Sequence, residues 1–475
     1  MGDQTAEQNQ VSNDSHPQGG SNSSYDGRLK TTRTTVWAAS AHIITALIGS
    51  GVLSLAWATA QLGWIFGPIV MLLFSLVTCY TFTLFADAVF HSSGKLASDE
   101  KKYTNYMDTF LKELDESMFK LISLGVYYIS LFGVASGCTT ESSASLNAIQ
   151  WSKWFHSGGD NNGQYHMNRN LCVIIFCVIQ IFFSQIYDFG KLRWVSVLVT
   201  GVTSFTYSLI GLCLSVAKVA AETGNFRGSL TGISIGTVTE TQKIWRTFHA
   251  VGVIAYAYSY FIILIEIQDS MESPPLEVKK MKNASVISVG VITLFYMLCG
   301  CFGYAAFGDL SPENLLTGLG FDKPFWILEI AKVAIFIHLV GAYQIYCRPL
   351  FEIGKDRFNK EIEISIPGFR SYKLKFGLVW RTTVVTLTSV MSMLLPFFND
   401  GVGLLGALGF WPFTVYFPVE MYIREKKITK WKTEWICLQI LSFACFIISI
   451  AAATGSIAGF VLDLKSFKPF KFGTS

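Results

Sequence analysis

Charged residues are scarce in this chain. Asp, Glu, Lys and Arg make up 15% of the 475 residues, whereas a soluble globular protein carries about 25%. A mean hydropathy of +0.41 accompanies that deficit. The 37 basic and 33 acidic side chains give a net charge of only +4, without the concentrated basic face of a nucleic-acid-binding protein. The composition argues against a soluble enzyme, a secreted disulfide scaffold, a disordered hub and a nucleic acid partner.

Metal and redox motifs are also lacking. The ten cysteines form no CxxC pair and no Cys/His ligand pattern, although such spacings mark zinc and thiol redox sites. Most of the cysteines lie in apolar stretches, where a small thiol packs well. No nucleophile–base constellation stands out either. We therefore expect no metal, no cofactor and no enzymatic activity.

The first 35 residues have almost no aliphatic side chains. Ser, Asn, Gln and Gly dominate residues 1–27, a composition that cannot bury enough apolar surface to fold. The basic start and short apolar run of a cleaved signal peptide do not occur here. We expect residues 1–35 to form a disordered tail.

Long apolar runs fill most of the remaining chain. A membrane-spanning helix takes about 20 mostly apolar residues, and eleven stretches meet that length. The prediction is an all-α polytopic membrane protein with a transporter domain at residues 36–462 and a C-terminal tail at 463–475. The eleven stretches lie at about 36–60, 65–89, 119–148, 171–187, 192–221, 245–267, 283–307, 325–347, 377–397, 401–423 and 436–462.

Basic residues are divided unevenly between the loops on the two sides of these spans. With the N-terminus inside, 25 Lys and Arg fall on the cytoplasmic side and 8 on the other. Cytoplasmic loops carry such an excess of positive charge. The division predicts a cytoplasmic N-terminus and an extracellular C-terminus.

Two of the spans contain residues that break helices. Gly49, Ser50 and Gly51 lie at the centre of the first, where each glycine costs about 1 kcal/mol relative to alanine. Either an unwound hinge or tight packing of small residues explains them. Gly252 and the run 255–260 interrupt the sixth span. Breaks five spans apart match a transporter built from two inverted five-helix repeats.

Several long motifs resemble those of the plant amino acid permeases, in the amino acid/auxin permease family. The resemblance extends over about residues 28–472. Its motifs include Ser40-Ala-His-Ile-Ile-Thr, Ile48-Gly-Ser-Gly-Val-Leu-Ser-Leu-Ala-Trp, Ile262-Ile-Leu-Ile-Glu-Ile-Gln-Asp, Leu394-Leu-Pro-Phe-Phe-Asn-Asp and Gly403-Leu-Leu-Gly-Ala-Leu-Gly-Phe-Trp-Pro.

This resemblance implies a leucine-transporter-like fold with broken first and sixth helices. It also implies a plasma-membrane symporter that imports a broad range of neutral and acidic amino acids together with protons. Two residues depart from the pattern. Val253 stands where the family usually has Asp, and Glu141 stands in the third span where we expect an uncharged residue. Glu141 either takes over the lost charge or marks altered substrate choice, weak coupling or no transport.

The predicted substrate site lies at the two breaks. Backbone N–H groups of the unwound first helix suit a substrate carboxylate, and tyrosine rings suit the walls of a small pocket. Its residues are Ile48, Gly49, Ser50, Gly51, Val52, Tyr256, Tyr258 and Ser259. Histidine titrates near neutral pH, and a carboxylate inside a membrane is a default functional candidate. The residues predicted to carry the proton are therefore His42, Glu141 and His338.

Two other functions stay open at this point. A carrier of another small organic solute, such as an auxin-like acid, would keep the fold and change the cargo. A non-transporting amino acid sensor would bind substrate without turnover. The expected partners are amino acids, protons and the lipid bilayer, and the sequence identifies no protein partner.

Overall fold

Long apolar helices make up most of the described chain. The computed structural model describes residues 40, 43–44, 48–96, 117–156, 168–185, 189–221, 227–234, 238–259, 278–316, 324–357, 361–364, 372–395 and 398–466.

The helices follow one another with short connections between several of them. Two short 3₁₀ helices, Ser50–Ser54 and Gly308–Leu310, precede α1 and follow α6. A π-helical segment, Phe410–Tyr416, joins α9 to α10. The helices are α1 (Leu55–Leu96), α2 (Ser117–His156), α3 (Arg169–Gln185), α4 (Phe189–Ala221), α5 (Glu240–Tyr258), α6 (Val278–Phe307), α7 (Phe325–Arg357), α8 (Phe376–Leu394), α9 (Phe398–Gly409), α10 (Phe417–Glu425) and α11 (Thr433–Ser466).

Each of the eleven predicted apolar stretches overlaps a described helix. By length and composition, seven helical segments among the described residues are able to cross a membrane. Large apolar side chains on α11, such as Ile440 and Phe443, are more than 60% exposed, as contact with lipid requires. The membrane character is clear from these features, and the number of eleven spans stays a prediction.

The first and second predicted spans are separated by a sharp break at Gly63 inside α1. Its backbone has φ 82° and ψ 178°, a region that essentially only glycine adopts. The chain after the break pairs with residues 227–234, because Trp64 N–H donates to the Ser229 carbonyl at 3.2 Å. Ile233 N–H donates to the Ala60 carbonyl at 3.0 Å on the other side of the break. These contacts fix one end of the helix bundle.

The start of α5 is set by a capping box. The Thr239 hydroxyl accepts from Gln242 N–H at 3.3 Å, and the Gln242 side chain accepts from Thr239 N–H at 3.2 Å. This reciprocal pairing satisfies two N–H groups that a helix start leaves open. From there α5 runs into the centre of the fold, where it packs against α1, α9 and α11.

A short β-hairpin interrupts the otherwise helical architecture. Strands β1 (Glu361–Ile364) and β2 (Tyr372–Lys375) pair antiparallel, with Glu361 opposite Lys375 and Glu363 opposite Lys373. Opposite charges across a strand pair stabilise it. The all-α prediction therefore holds for the membrane helices but missed this hairpin, which lies in the polar connection between α7 and α8.

Candidate functional site

The backbone leaves helical form immediately before α1. Ile48 and Gly49 are not helical, and Gly49 is extended with φ −102° and ψ −172°. The chain then resumes as a 3₁₀ helix at Ser50, in which Val52 N–H donates to the Gly49 carbonyl at 3.3 Å. The first N–H groups of a helix have no acceptor within it. The unwound segment lies at the glycines that the sequence singled out.

The described part of α5 ends beside this unwound segment. Helix α5 stops at Tyr258, and Ser259 has φ −86° and ψ 68°, outside the helical region. One turn before that end, the Tyr256 ring faces Gly51. A β-carbon at Gly51 would lie 3.2 Å from Cδ1 of Tyr256 and 3.4 Å from Cε1. A side chain at residue 51 would therefore require the Tyr256 ring to move by a few tenths of an ångström.

The three predicted α5 residues have different surroundings. Tyr256 is half-buried, whereas Tyr258 is buried with its ring 5.5 Å from that of Tyr296 on α6. The Ser259 hydroxyl donates to the Ala255 carbonyl at 2.7 Å and so closes the end of its own helix. The structure brings Tyr256 to the unwound segment, whereas Tyr258 contacts α6 and Ser259 contacts the backbone of its own helix.

Accessible surface remains at this junction although most of its surroundings are buried. Gly49 and Tyr256 keep accessible surface, while Ile48, Val52 and Val253 are almost fully buried. Non-helical backbone at membrane depth is tolerated where protein or a wet cavity satisfies it. Residues 48–52 together with Tyr256 therefore form a candidate binding site.

Glu141 lies buried beside this site, on α2. Its carboxylate accepts a short hydrogen bond from the Asn314 amide, and the Asn314 side-chain oxygen accepts from Leu316 N–H at 2.9 Å. The next link reaches the first helix, since Leu315 N–H donates to the Leu53 carbonyl at 3.3 Å. The carboxylate is thus connected to the segment that follows the break. Asn314 carried no sequence signal that we recognised.

The two predicted histidines differ in what the structure says of them. His42 lies outside the described residues. His338 on α7 is buried, with Nδ1 2.9 Å from the Thr200 carbonyl oxygen and its ring 5.4 Å from that of Tyr207. That environment is typical of a packed and hydrogen-bonded histidine.

Gly252 does not interrupt its helix, contrary to the prediction. It lies inside α5, where a β-carbon would be 2.5 Å from the Gly403 carbonyl oxygen of α9. The missing side chain serves close helix packing. The described helix ends before Ser259, which lies inside the run 255–260 that was also predicted to interrupt this span.

The comparison with known families decides the class of the protein. The sequence model of the family described as "Transmembrane amino acid transporter protein" matches residues 32–462. The chain belongs to this family. It is 58% identical to amino acid permease 3 of Arabidopsis thaliana, over 96% of this chain and 97% of that one. Amino acid permease 2 of the same plant is 57% identical over 94% and 91%. Membership agrees with the expected resemblance and with a protein that is not an enzyme.

Solved structures with the same fold are also transporters. The crystal structure of MhsT in complex with L-phenylalanine matches with a TM-score of 0.55 at 10% identity, over 88% of this chain and 98% of that one. A manganese transporter of Eremococcus coleocola gives a TM-score of 0.53 at 11% identity, over 93% and 90%. At such identities the likeness concerns the fold alone. It supports the leucine-transporter-like fold, and the inverted repeat stays a prediction.

In this transmembrane amino acid transporter family member, a buried contact between a histidine and a carboxylate was not predicted from the sequence. His249 on α5 pairs with Asp400 at the start of α9, with 3.3 Å between Nδ1 and Oδ1. Asp400 lies between two apolar stretches of the sequence, and a carboxylate in that position is a functional candidate. Within the described residues, no group of three or more His, Cys, Asp and Glu is arranged to hold a metal ion.

Proposed function

We propose that the chain is a proton-coupled symporter that imports neutral and acidic amino acids across the plasma membrane. The N-terminus is cytoplasmic and the C-terminus extracellular, as the distribution of basic residues indicates. Residues 36–462 form the transporter, residues 1–35 form the N-terminal tail, and residues 463–475 form the C-terminal tail, into which α11 extends as far as Ser466. The end of the bundle that carries residues 227–234 then faces outward.

The observation that carries the proposal is the unwound segment opposite Tyr256. An amino acid presents a carboxylate and an ammonium group separated by one carbon. The N–H groups at Ser50 and Gly51, at the positive end of a helix dipole, bind the carboxylate. Carbonyl groups of the non-helical residues Ile48 and Gly49 accept from the ammonium group. Val52 is buried behind this backbone.

The α5 residues form the side-chain part of the site. Tyr256 lines it directly, and Tyr258 and Ser259 hold the end of the helix against the substrate. An aromatic wall accepts neutral side chains of different size. Glu141 lies within electrostatic range of Tyr256, so its charge influences which side chains are accepted.

The predicted proton carriers are His42, Glu141 and His338. Glu141 is the described member of this set that is a buried carboxylate connected to the site. Protonation of Glu141 would remove a negative charge from the site and favour an acidic substrate there. The His338 imidazole is hydrogen-bonded to the Thr200 carbonyl, and His338 contributes to transport through the packing of α7.

Current recording in oocytes tests the proposal. L-alanine, L-phenylalanine, L-glutamate and L-lysine are applied at external pH of about 5.5 and about 7.5, which bracket the ordinary titration of histidine. We expect inward currents with L-alanine, L-phenylalanine and L-glutamate, each larger at the lower pH. The same recordings on Val253→Asp show whether a carboxylate at that position changes the pH dependence.

The other outcomes identify the competing functions. Amino acid currents that do not depend on pH would contradict proton coupling. Uptake of an auxin-like acid without competition by amino acids would indicate another solute carrier. Saturable amino acid binding without uptake or current would indicate a sensor.

A further inference from the structure

The side chains of His249 and Asp400 form a buried pair between α5 and α9. The two side chains are 5% and 8% exposed, and 3.3 Å separates Nδ1 from Oδ1. It joins α5, whose end forms the candidate site, to α9. Neither residue contributes to the substrate site described above. A buried ionisable pair of this kind in a membrane protein needs either a structural or a proton-handling explanation.

Glycines on the neighbouring helices make room for the pair. A β-carbon at Gly459 of α11 would lie 2.8 Å from Asp400 Oδ1 and 3.4 Å from His249 Nδ1. A β-carbon at Gly403 of α9 would lie 2.6 Å from His249 Nε2. Any larger residue at these positions would displace the imidazole or the carboxylate. The three helices therefore enclose the two groups closely.

The imidazole contacts α1 just after the unwound segment. Its ring centroid lies 5.0 Å from that of Trp57, which follows the unwound segment on α1. Tyr256 is seven residues further along α5, about 10 Å along the helix axis. A positive charge on His249 would be attracted to the Trp57 ring face and to Asp400. Its charge state therefore acts on the positions of α1 and α5 relative to α9.

The groups around the pair are mostly negative. Asp463 on α11 and Glu313 after α6 act electrostatically on Asp400, and Arg246 on α5 opposes them. The contacting residue of α1 is Trp57, which does not titrate. Two further carboxylates and one guanidinium act on Asp400, so proton uptake by the neighbouring His249 reduces an excess of negative charge.

Charged side chains near the pair keep contact with solvent. Arg246 and Glu313 are exposed, and Asp463 is half-buried. Arg246 lies three residues before His249, on the same face of α5. Beyond His249, the described part of α5 has no carboxylate or further histidine. Among the titratable side chains of α5, His249 is the one that lies between Arg246 and Tyr256.

We propose that His249, held by Asp400, binds the coupled proton during transport. This inference rests on the proposed proton-coupled symport. External hydronium donates the proton to the imidazole and leaves as water, and the imidazolium pairs with Asp400. After the helices rearrange, the same N–H bond breaks and the proton passes to cytoplasmic water. His249 is the proton-binding residue, and Asp400 positions and stabilises it.

Parallel measurements of flux and charge on His249→Gln and Asp400→Asn test this role. L-alanine carries no net charge, so the ratio of charge to labelled L-alanine reports the coupled ion. Exchange of labelled for unlabelled L-alanine requires no net proton movement. Glu352→Gln is the matched control, because Glu352 forms an exposed pair with Arg348 on α7. Surface biotinylation measures the amount of each variant.

His249→Gln is expected to keep exchange but to lose the acceleration of uptake by acid. Its uptake between external pH of about 5.5 and about 7.5 should change less than about twofold, and its charge-to-alanine ratio should fall towards zero. Asp400→Asn removes the counter-charge, so its half-maximal activation should move to lower pH. Glu352→Gln should match the wild type in all three measurements.

Three results would overturn the inference. One is a His249→Gln protein with wild-type pH dependence and charge ratio. Another is loss of exchange as well as of proton-driven uptake at normal surface amount, which indicates a structural role. The third is pH dependence that Glu141→Gln or His338→Gln removes and His249→Gln does not. If His249→Gln fails to reach the surface, the pH profile of Asp400→Asn tests the inference instead. Half-maximal activation at the wild-type pH would then overturn it. Uptake by the wild type that does not depend on external pH would contradict the proposed proton coupling itself, whatever the variants show.

Discussion

Gly406→Ala is expected to reduce amino acid uptake at least about tenfold, the effect of about 1.4 kcal/mol at the transition state. Gly406 lies on α9 where the helix touches α5. A β-carbon there would be 2.5 Å from the Tyr256 amide nitrogen and 2.8 Å from its Cβ. Backbone atoms cannot move aside as a flexible side chain can, and overpacking of this kind costs about 1–3 kcal/mol. The methyl group would push Tyr256 away from the unwound segment.

Gly409→Ala is the matched control for this substitution. Gly409 ends the same helix, but a β-carbon there would meet only Cδ2 of Phe413, at an ordinary 3.8 Å. We expect its uptake to equal that of the wild type. Labelled uptake divided by the biotinylated surface amount measures both variants. Equal uptake by Gly406→Ala and Gly409→Ala would show that the contact of α9 with α5 does not position the site.

Gly63→Ala is expected to lower the amount of folded protein severalfold. The backbone at Gly63 has φ 82° and ψ 178°, and a residue with a β-carbon there carries about 1–3 kcal/mol of strain. The new carbon would also lie 2.5 Å from the Leu230 carbonyl oxygen. A loss of 1–2 kcal/mol changes cellular abundance severalfold. The turn between the first two spans and its pairing with residues 227–234 would both be distorted.

Gly125→Ala provides the comparison for Gly63→Ala. Gly125 is a helical residue on α2, and a β-carbon there would have no heavy atom within 4 Å. Replacing it should leave the folded amount unchanged or slightly higher, because alanine favours a helix over glycine. Size-exclusion chromatography of detergent-solubilised protein gives the folded fraction of each variant. A Gly63→Ala protein as abundant and monodisperse as Gly125→Ala would contradict the strain argument.

The glycines show why the sequence predicted unwound backbone correctly at Gly49 and wrongly at Gly252. A glycine in an apolar span marks either unwound backbone or close helix packing, and composition alone does not distinguish them. Gly49 is the first case, with extended backbone. Gly252 is the second, with α9 packed against its missing side chain. Distinguishing the two requires knowledge of which helix lies opposite, and that is a property of the tertiary fold.

Contacts between side chains that are far apart in the chain were also not predictable from sequence patterns. The apolar stretches predicted where the helices lie, because a bilayer demands about 20 apolar residues per span. The partnership of His249 with Asp400 and that of Glu141 with Asn314 depend on helix rotation and on which ends meet. Rotation is weakly encoded in helices that are apolar on all sides. The hairpin formed by β1 and β2 escaped notice because it lies in a polar connection.

Equilibrium binding at the unwound segment tests the proposed substrate site most directly. Purified wild type, Gly51→Ala and Gly290→Ala are titrated with the labelled amino acid that gives the largest current. A β-carbon at Gly51 would lie 3.2 Å from the Tyr256 ring, whereas one at Gly290 on α6 would meet nothing within 4 Å. We predict that Gly51→Ala binds at least about tenfold more weakly than the wild type, a loss of about 1.4 kcal/mol, and that Gly290→Ala binds equally well. Wild-type affinity in Gly51→Ala would contradict a substrate site between residues 48–52 and Tyr256.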